Sequence, residues 1–208
     1  MKKIIFAPNE DKVLLAAHVF IAEFENNSVS ENFPDYFVRS LDFTENVKTP
    51  TRKLQKKLEE YFLNSQKLQK AKRKFNEMKT AVPKKYQEIK KEIDAIDSDE
   101  SLQKWFLRTG GNDLTRLQHV SRELKKRPTF AMRFQNVEKF LRDFRAAAEN
   151  LTESEERQKI LKNEVHELRQ VLQRKIRGVK MMLRGFATAM EMKIPIDVNL
   201  TPGRFPKS

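Results

Sequence analysis

Apolar residues in this chain recur mainly at three- and four-residue spacing, the period of an amphipathic helix. Between residues 9 and 26, Val13, Leu14, Ala17, Phe20, Ile21 and Phe24 share one side. Asn9 is the expected N-cap, followed by two acids that suit the positive end of a helix dipole. Pro34 can open a second, short helix through Phe43, with Phe33, Phe37 and Leu41 on one side. Together these two segments predict an apolar packing unit rather than a binding surface.

The next helix begins at Thr49, a candidate cap, with Pro50 at its first position. Leu54, Tyr61, Leu68, Phe75 and Val82 are spaced by seven. The companion positions read Leu58, Ser65, Lys72 and Lys79, so the seam narrows from two apolar positions to one. A coiled coil keeps both apolar. Beyond Gln66 the pattern therefore predicts a helix that buries little. Pro83 is expected to break or kink it, because proline lacks the amide hydrogen and clashes with the preceding turn. A new helical stretch follows with Tyr86, Ile89, Ile93 and Ile96, then a short one with Leu102, Trp105 and Phe106, closed by Gly110 and Gly111. Asn112 or Asp113 caps a further helix that stops before Pro128.

The helix expected from Thr129 has the cleanest pattern. Phe130, Phe134, Val137, Leu141, Phe144, Ala148 and Leu151 alternate spacings of 4 and 3, which predicts the centre of the core. Thr152 with Glu155 reads as a capping box and so as a new helix start. The last helix then runs to about Met192, with Leu161, Val165, Leu168, Leu172, Ile176, Val179, Leu183, Phe186 and Met190 as its seam. In the tail, Ile194, Ile196, Val198 and Leu200 alternate with polar residues or proline, a strand-like period.

The expected fold is all-α and elongated. Two long helices, about Thr49–Thr80 and Thr152–Met192, should form a coiled-coil-like arm beside a smaller helical core. Composition agrees: five glycines in 208 residues leave few turn residues, and fifteen Phe exceed what a disordered chain carries. In chain order the expected divisions are an N-terminal packing unit (1–48), a long basic helix with its kinked continuation (49–97), a helical core with the long C-terminal helix (98–192) and an extended tail (193–208). With no cysteine there is no disulfide framework and no thiolate chemistry. No apolar run is long enough to span a membrane, and the N-terminal apolar run is too short for a signal peptide, so a cytoplasmic, nucleoid or nuclear site is expected.

Charge changes the picture most. The net charge is +13, but residues 1–48 carry 5 basic and 8 acidic side chains, whereas residues 49–96 carry 14 and 6. An excess of this size points to a polyanionic partner. In the second segment, Lys67, Lys70, Lys72, Arg73, Lys74 and Lys79 surround the narrow seam and are candidates for phosphate contact. Near the C-terminus no acid occurs between Glu167 and Glu191, while Arg169, Arg174, Arg177, Lys180 and Arg184 fall within about 140° of the helix circumference. Arginine offers a planar fork matched to phosphate oxygens, and a stripe of them can track a nucleic-acid backbone. Arg122, Lys125, Lys126, Arg127 and Arg133 form a third, weaker cluster at a helix junction.

Catalytic chemistry has little support. His18, His119 and His166 are scattered, no helical zinc motif or phosphate-cradling glycine loop is present, and no catalytic residue, metal ligand or cofactor is expected. One short stretch, LRTGGNDLTRLQHVSREL, resembles the Gly-Asn-x-Leu-Asn-Gln-Ile segment of plasmid mobilisation accessory proteins, which assist relaxases at transfer origins. Gly111, Asn112, Leu114 and Leu117 match, and Thr115 and Arg116 stand where that family has Asn-Gln. The leading expectation is a non-enzymatic nucleic-acid-binding accessory protein, for DNA or RNA, that contacts phosphate through basic helices with little sequence preference. The alternative is a coiled-coil interaction or adaptor module that binds a partner protein or homodimerises through the half-apolar heptads.

Overall fold

The computed structural model describes residues 11–26, 33–95, 111–126 and 135–190. Every element among them is helical: α1 (Lys12–Asn26), α2 (Asp35–Ser40), α3 (Thr49–Asp94), α4 (Asp113–Lys125) and α5 (Gln135–Ala189), with a π-helical turn at Thr44–Lys48 leading into α3. The all-α class is thus as the periodicity implies. Asn9, Ile96, the stretch with Leu102, Trp105 and Phe106, the positions Gly110, Thr129, Phe130 and Phe134, and the tail lie outside the described residues. The N-cap of α1 among them is Asp11, whose Oδ1 accepts hydrogen bonds from the amides of Val13 and Leu14, each at 3.0 Å.

Three local signals are overridden. Pro83 neither ends nor restarts a helix: α3 runs through it for 46 residues. The Lys79 carbonyl loses its intrahelical partner there, yet Val82 just before the proline and Tyr86, Ile89 and Ile93 on the following turns are all buried, and their packing outweighs the defect. Pro83 itself is exposed, so its ring occupies no core space. Thr152 does not open a helix either. It lies inside the 55-residue α5, and its hydroxyl donates back to the Ala148 carbonyl at 3.1 Å. Thr49 does not cap α3, because the π-helical turn feeds directly into it, and its hydroxyl lies 3.3 Å from Glu45 Oε1.

The chain forms two compact units, the first assembled from two separated segments, Met1–Gln66 with Arg157–Ser208, and the second from the continuous stretch Lys67–Glu156. In the first, α3 and α5 run antiparallel. Lys57 Nζ lies 3.0 Å from Glu164, Arg157 lies 3.7 Å from Glu60, and Lys175 donates to the Glu45 carbonyl at 2.9 Å. Leu54 and Leu58 pack with Val165 and Leu172, and α1 adds Leu14 and Ala17 to that cluster. A second cluster gathers Phe20, Phe33, Phe37, Leu41 and Phe43 around Val179, Leu183 and Ala187. Within it Phe24 stacks on Phe43 at 3.7 Å and Phe37 on Phe186 at 4.0 Å. Burying one such leucine or phenylalanine is worth about 1.5–3 kcal/mol.

The polar seam position Ser65 has a specific explanation here. It is buried, its hydroxyl donates to the Tyr61 carbonyl at 2.9 Å and accepts from the Gln158 side-chain amide. The Asn64 side-chain amide donates to Gln158 Oε1 at 2.7 Å. A hydrogen-bonded layer therefore replaces an apolar one, and the buried Ser65 hydroxyl is not stranded.

In the second unit, α3 again runs antiparallel to α5, as Lys72–Glu155 at 3.1 Å and Phe75–Phe144 at 5.5 Å show. Its core joins Val82, Tyr86, Ile89 and Ile93 of α3 with Leu117 and Val120 of α4 and Val137 of α5. The α5 seam expected at the centre is only half sunk. Val137 and Ala147 are buried, while Leu141, Phe144, Ala148 and Leu151 are partly covered. The reason is geometric: α3 and α4 cover part of that wide stripe and leave an edge open.

Replacing Pro83 with Ala should stabilise the protein by about 2 kcal/mol: about 3 kcal/mol regained in the helix interior, less about 1 kcal/mol for the freer unfolded chain. Urea denaturation checks this, and a variant no more stable than the parent would contradict a continuous helix through residue 83.

A pH dependence follows from the Lys57 network. Glu60 is held below its ordinary value of 4.5, chiefly by the hydrogen bond from Lys57. Lys57 is raised above its ordinary 10.5 by hydrogen bonds to Glu60 and then Glu164. The Glu60 contribution is present above about pH 4.5 and is lost as pH falls through the lowered folded value. The Lys57 contribution is full below 10.5 and is lost as pH rises through the raised folded value. Lys57→Met should therefore lower Tm near neutral pH, with the gap to the parent narrowing toward acid and toward strong base. A gap independent of pH, measured by melting at stepped pH, would uncouple this network from folding.

Candidate polyanion-binding faces

The C-terminal half of α5 lies in the first unit, and its five candidate cations are not equivalent. Arg169 is half-buried and turns toward the start of α1. Its Nε donates to Asp11 Oδ2 at 2.8 Å and its terminal nitrogen pairs with the same oxygen. Asp11 is 8% exposed, so this carboxylate does two jobs: one oxygen caps α1 and the other holds α5. Lys180 lies over the Phe20 ring, 5.0 Å from its centroid. Both residues thus sit along the edge of the stripe that α1 covers.

The outer edge is different. Arg174, Arg177 and Arg184 are exposed. Arg174 reaches only the Gln170 carbonyl of its own helix, at 3.4 Å, and Arg177 makes no ion pair or hydrogen bond among the described residues. Met181, 68% exposed, lies between Arg177 and Arg184 along the helix, and a Cβ added at Gly178 or Gly185 would meet nothing within 4 Å. This face is open at both glycines, and α5 itself carries no acid from Leu168 to Ala189.

In the second unit, Lys67, Lys70, Lys72, Arg73, Lys74 and Lys79 are all exposed, as a thin seam requires. The structure also brings them something that linear reading missed. The antiparallel course of α5 sets the acidic stretch Glu149, Glu153, Glu155 and Glu156 beside this part of α3, and Glu155 pairs with Lys72. Part of the local positive charge is therefore matched inside the unit. The seam is also completed within the chain, since Phe75 meets Phe144.

The third cluster is described in part. Lys126 pairs with Glu123 at 2.6 Å, and Arg122 is exposed. The Gly111–Asn112 stretch has a local role. Gly111 has φ +108, a conformation that favours glycine, and Asn112 Oδ1 accepts from the Thr115 amide at 3.0 Å, capping α4.

Among the described residues no three His, Asp or Glu side chains are placed to hold a metal ion, and no helix is long and apolar enough to cross a membrane. Fold and surface together define an all-α protein whose exposed cations collect on helical faces. No protein-family model, curated protein or solved structure matches the chain.

Asp11→Ala should cost about 1–2 kcal/mol through the lost cap, plus the loss of the Arg169 contact. Arg169→Gln should lower Tm as well, whereas Arg177→Gln should stay within about 0.5 kcal/mol of the parent. Thermal and urea melts of the three variants check the division. Equal effects for Arg169 and Arg177 would remove the distinction between inner and outer edge.

Proposed function

We propose that this chain is a non-enzymatic nucleic-acid-binding accessory protein that grips phosphate with the outer edge of α5 and reads little sequence. The observation that carries the reading is the exposed edge of α5 with Arg174, Arg177 and Arg184, along which α5 itself contributes no acid. Arg177 has no partner among the described residues, so phosphate need not displace an existing ion pair there. The open backbone at Gly178 and Gly185, beside the arginine edge, lets a sugar–phosphate chain approach closely. The α3 cations, from Lys67 to Lys79, are a secondary surface, because the α5 acids offset part of their charge. Arg169 leaves the contact set, since Asp11 already engages it. Binding is expected to be cytoplasmic, nucleoid or nuclear, and either DNA or RNA suits the chemistry.

The reading as a coiled-coil adaptor or homodimer rested on the half-apolar heptads. That support weakens, because α5 supplies the facing side chains in both units.

The test is salt dependence. Each phosphate contact on duplex DNA contributes a slope of about 0.9 in log K against log salt, and about 0.7 on a single strand. Arg174→Gln with Arg177→Gln should lower affinity for all duplex sequences alike and flatten the slope by about 1.5–2 units, while Tm barely moves. Unchanged affinity and slope, measured by fluorescence anisotropy across salt concentrations, would reduce this face to a solvated surface.

A further inference from the structure

The half-covered seam of α5 in the second unit forms one wall of a groove of about 450 Å³, opposite α4. Its floor is apolar: Leu141, Phe144 and Ala148, each partly exposed. Around the floor stand Arg122 of α4 and Arg142 and Arg145 of α5, all exposed, with Glu138 the acid among the lining residues. None of the three arginines makes an ion pair or hydrogen bond among the described residues. That sets them apart from other charges of the same unit, which pair locally: Arg116 with Asp113 at 3.7 Å, Lys126 with Glu123 at 2.6 Å and Lys85 with Glu88 at 3.0 Å.

We propose that this groove docks an acidic amphipathic helix of a partner protein. Two features select that occupant. The floor rewards apolar side chains at three- and four-residue spacing, the stripe such a helix presents. The rim rewards carboxylates flanking that stripe, because guanidinium groups pair with them in a planar, two-pronged geometry. A nucleic-acid backbone would use the arginines and leave Leu141 and Phe144 without a partner. A second copy of this face would set arginines against arginines. The inference is separate from the phosphate-binding reading and uses none of its residues.

The experiment uses the full chain and fluorescence anisotropy with four labelled probes. These are a helical peptide with Leu and Trp on one face and Glu flanking it, a peptide of the same composition with the face scrambled, a Lys-for-Glu peptide, and a short duplex oligonucleotide. The acidic amphipathic peptide should bind at least about tenfold more tightly than the scrambled and basic ones. Arg142→Glu with Arg145→Glu should weaken it about tenfold or more, and Ala148→Gln, which places a polar side chain on the floor, should weaken it with the rim intact. Arg174→Gln with Arg177→Gln should leave peptide binding unchanged, so this proposal and the phosphate-binding reading fail separately. Helical circular dichroism and melting confirm that each variant is folded. The proposal is overturned by any of four results: no peptide binds, the scrambled peptide binds equally well, the rim variant keeps full affinity, or the rim variant loses the oligonucleotide rather than the peptide.

Discussion

The antiparallel seam between α3 and α5 is the interaction on which everything else in this protein rests. In the first unit it closes through Leu54, Leu58, Val165 and Leu172, and α1 and the Phe-rich segment around α2 complete the burial. In the second it closes through Val82, Ile89 and Val137, with α4 as the third element. Most of the stability of both long helices comes from packing their amphipathic faces rather than from intrinsic propensity. This packing also explains why α3 tolerates a proline and α5 tolerates an internal capping motif: the seam continues on both sides of each.

Where the seam turns polar, pairing decides what each residue does. Ser65 is buried because Gln158 and the Tyr61 carbonyl satisfy its hydroxyl. Lys72, one heptad on, stays half exposed and meets Glu155. The same rule sorts the arginines of α5. Arg169 faces a buried carboxylate and becomes structural, whereas Arg177, two turns further along and rotated outward, faces solvent. A basic stripe that looks uniform along the sequence is thus divided by one acid contributed from 158 positions away.

The functional readings both follow from charge left over after this internal matching. Exposed cations that already hold a carboxylate contribute little to a partner, since binding would first have to break that pair. An exposed arginine without a partner among the described residues, as Arg177 is on its open helical face, suits a phosphate backbone. Unmatched cations around an apolar groove suit an acidic amphipathic partner. The two surfaces differ in what accompanies the arginines: open glycines and an exposed methionine on α5 near its C-terminus, and Leu141, Phe144 and Ala148 in the groove.

The helical class, the apolar faces of α1, α3 and α5 and the position of the acid-free basic stripe were legible in the sequence. Each depends on periodicity within one helix, and periodicity is a local property. The N-cap at Asp11, the passage of α3 through Pro83 and of α5 through Thr152 were not. Local capping and breaking signals are worth only about 1–3 kcal/mol, and packing against a distant segment exceeds them. Nor could the sequence separate Arg169 from Arg177, set the Glu149–Glu156 acids beside the α3 lysines, or bring Arg122 to Arg142 and Arg145. Those juxtapositions join residues far apart in the chain, and only the antiparallel register of the folded helices decides which charges meet.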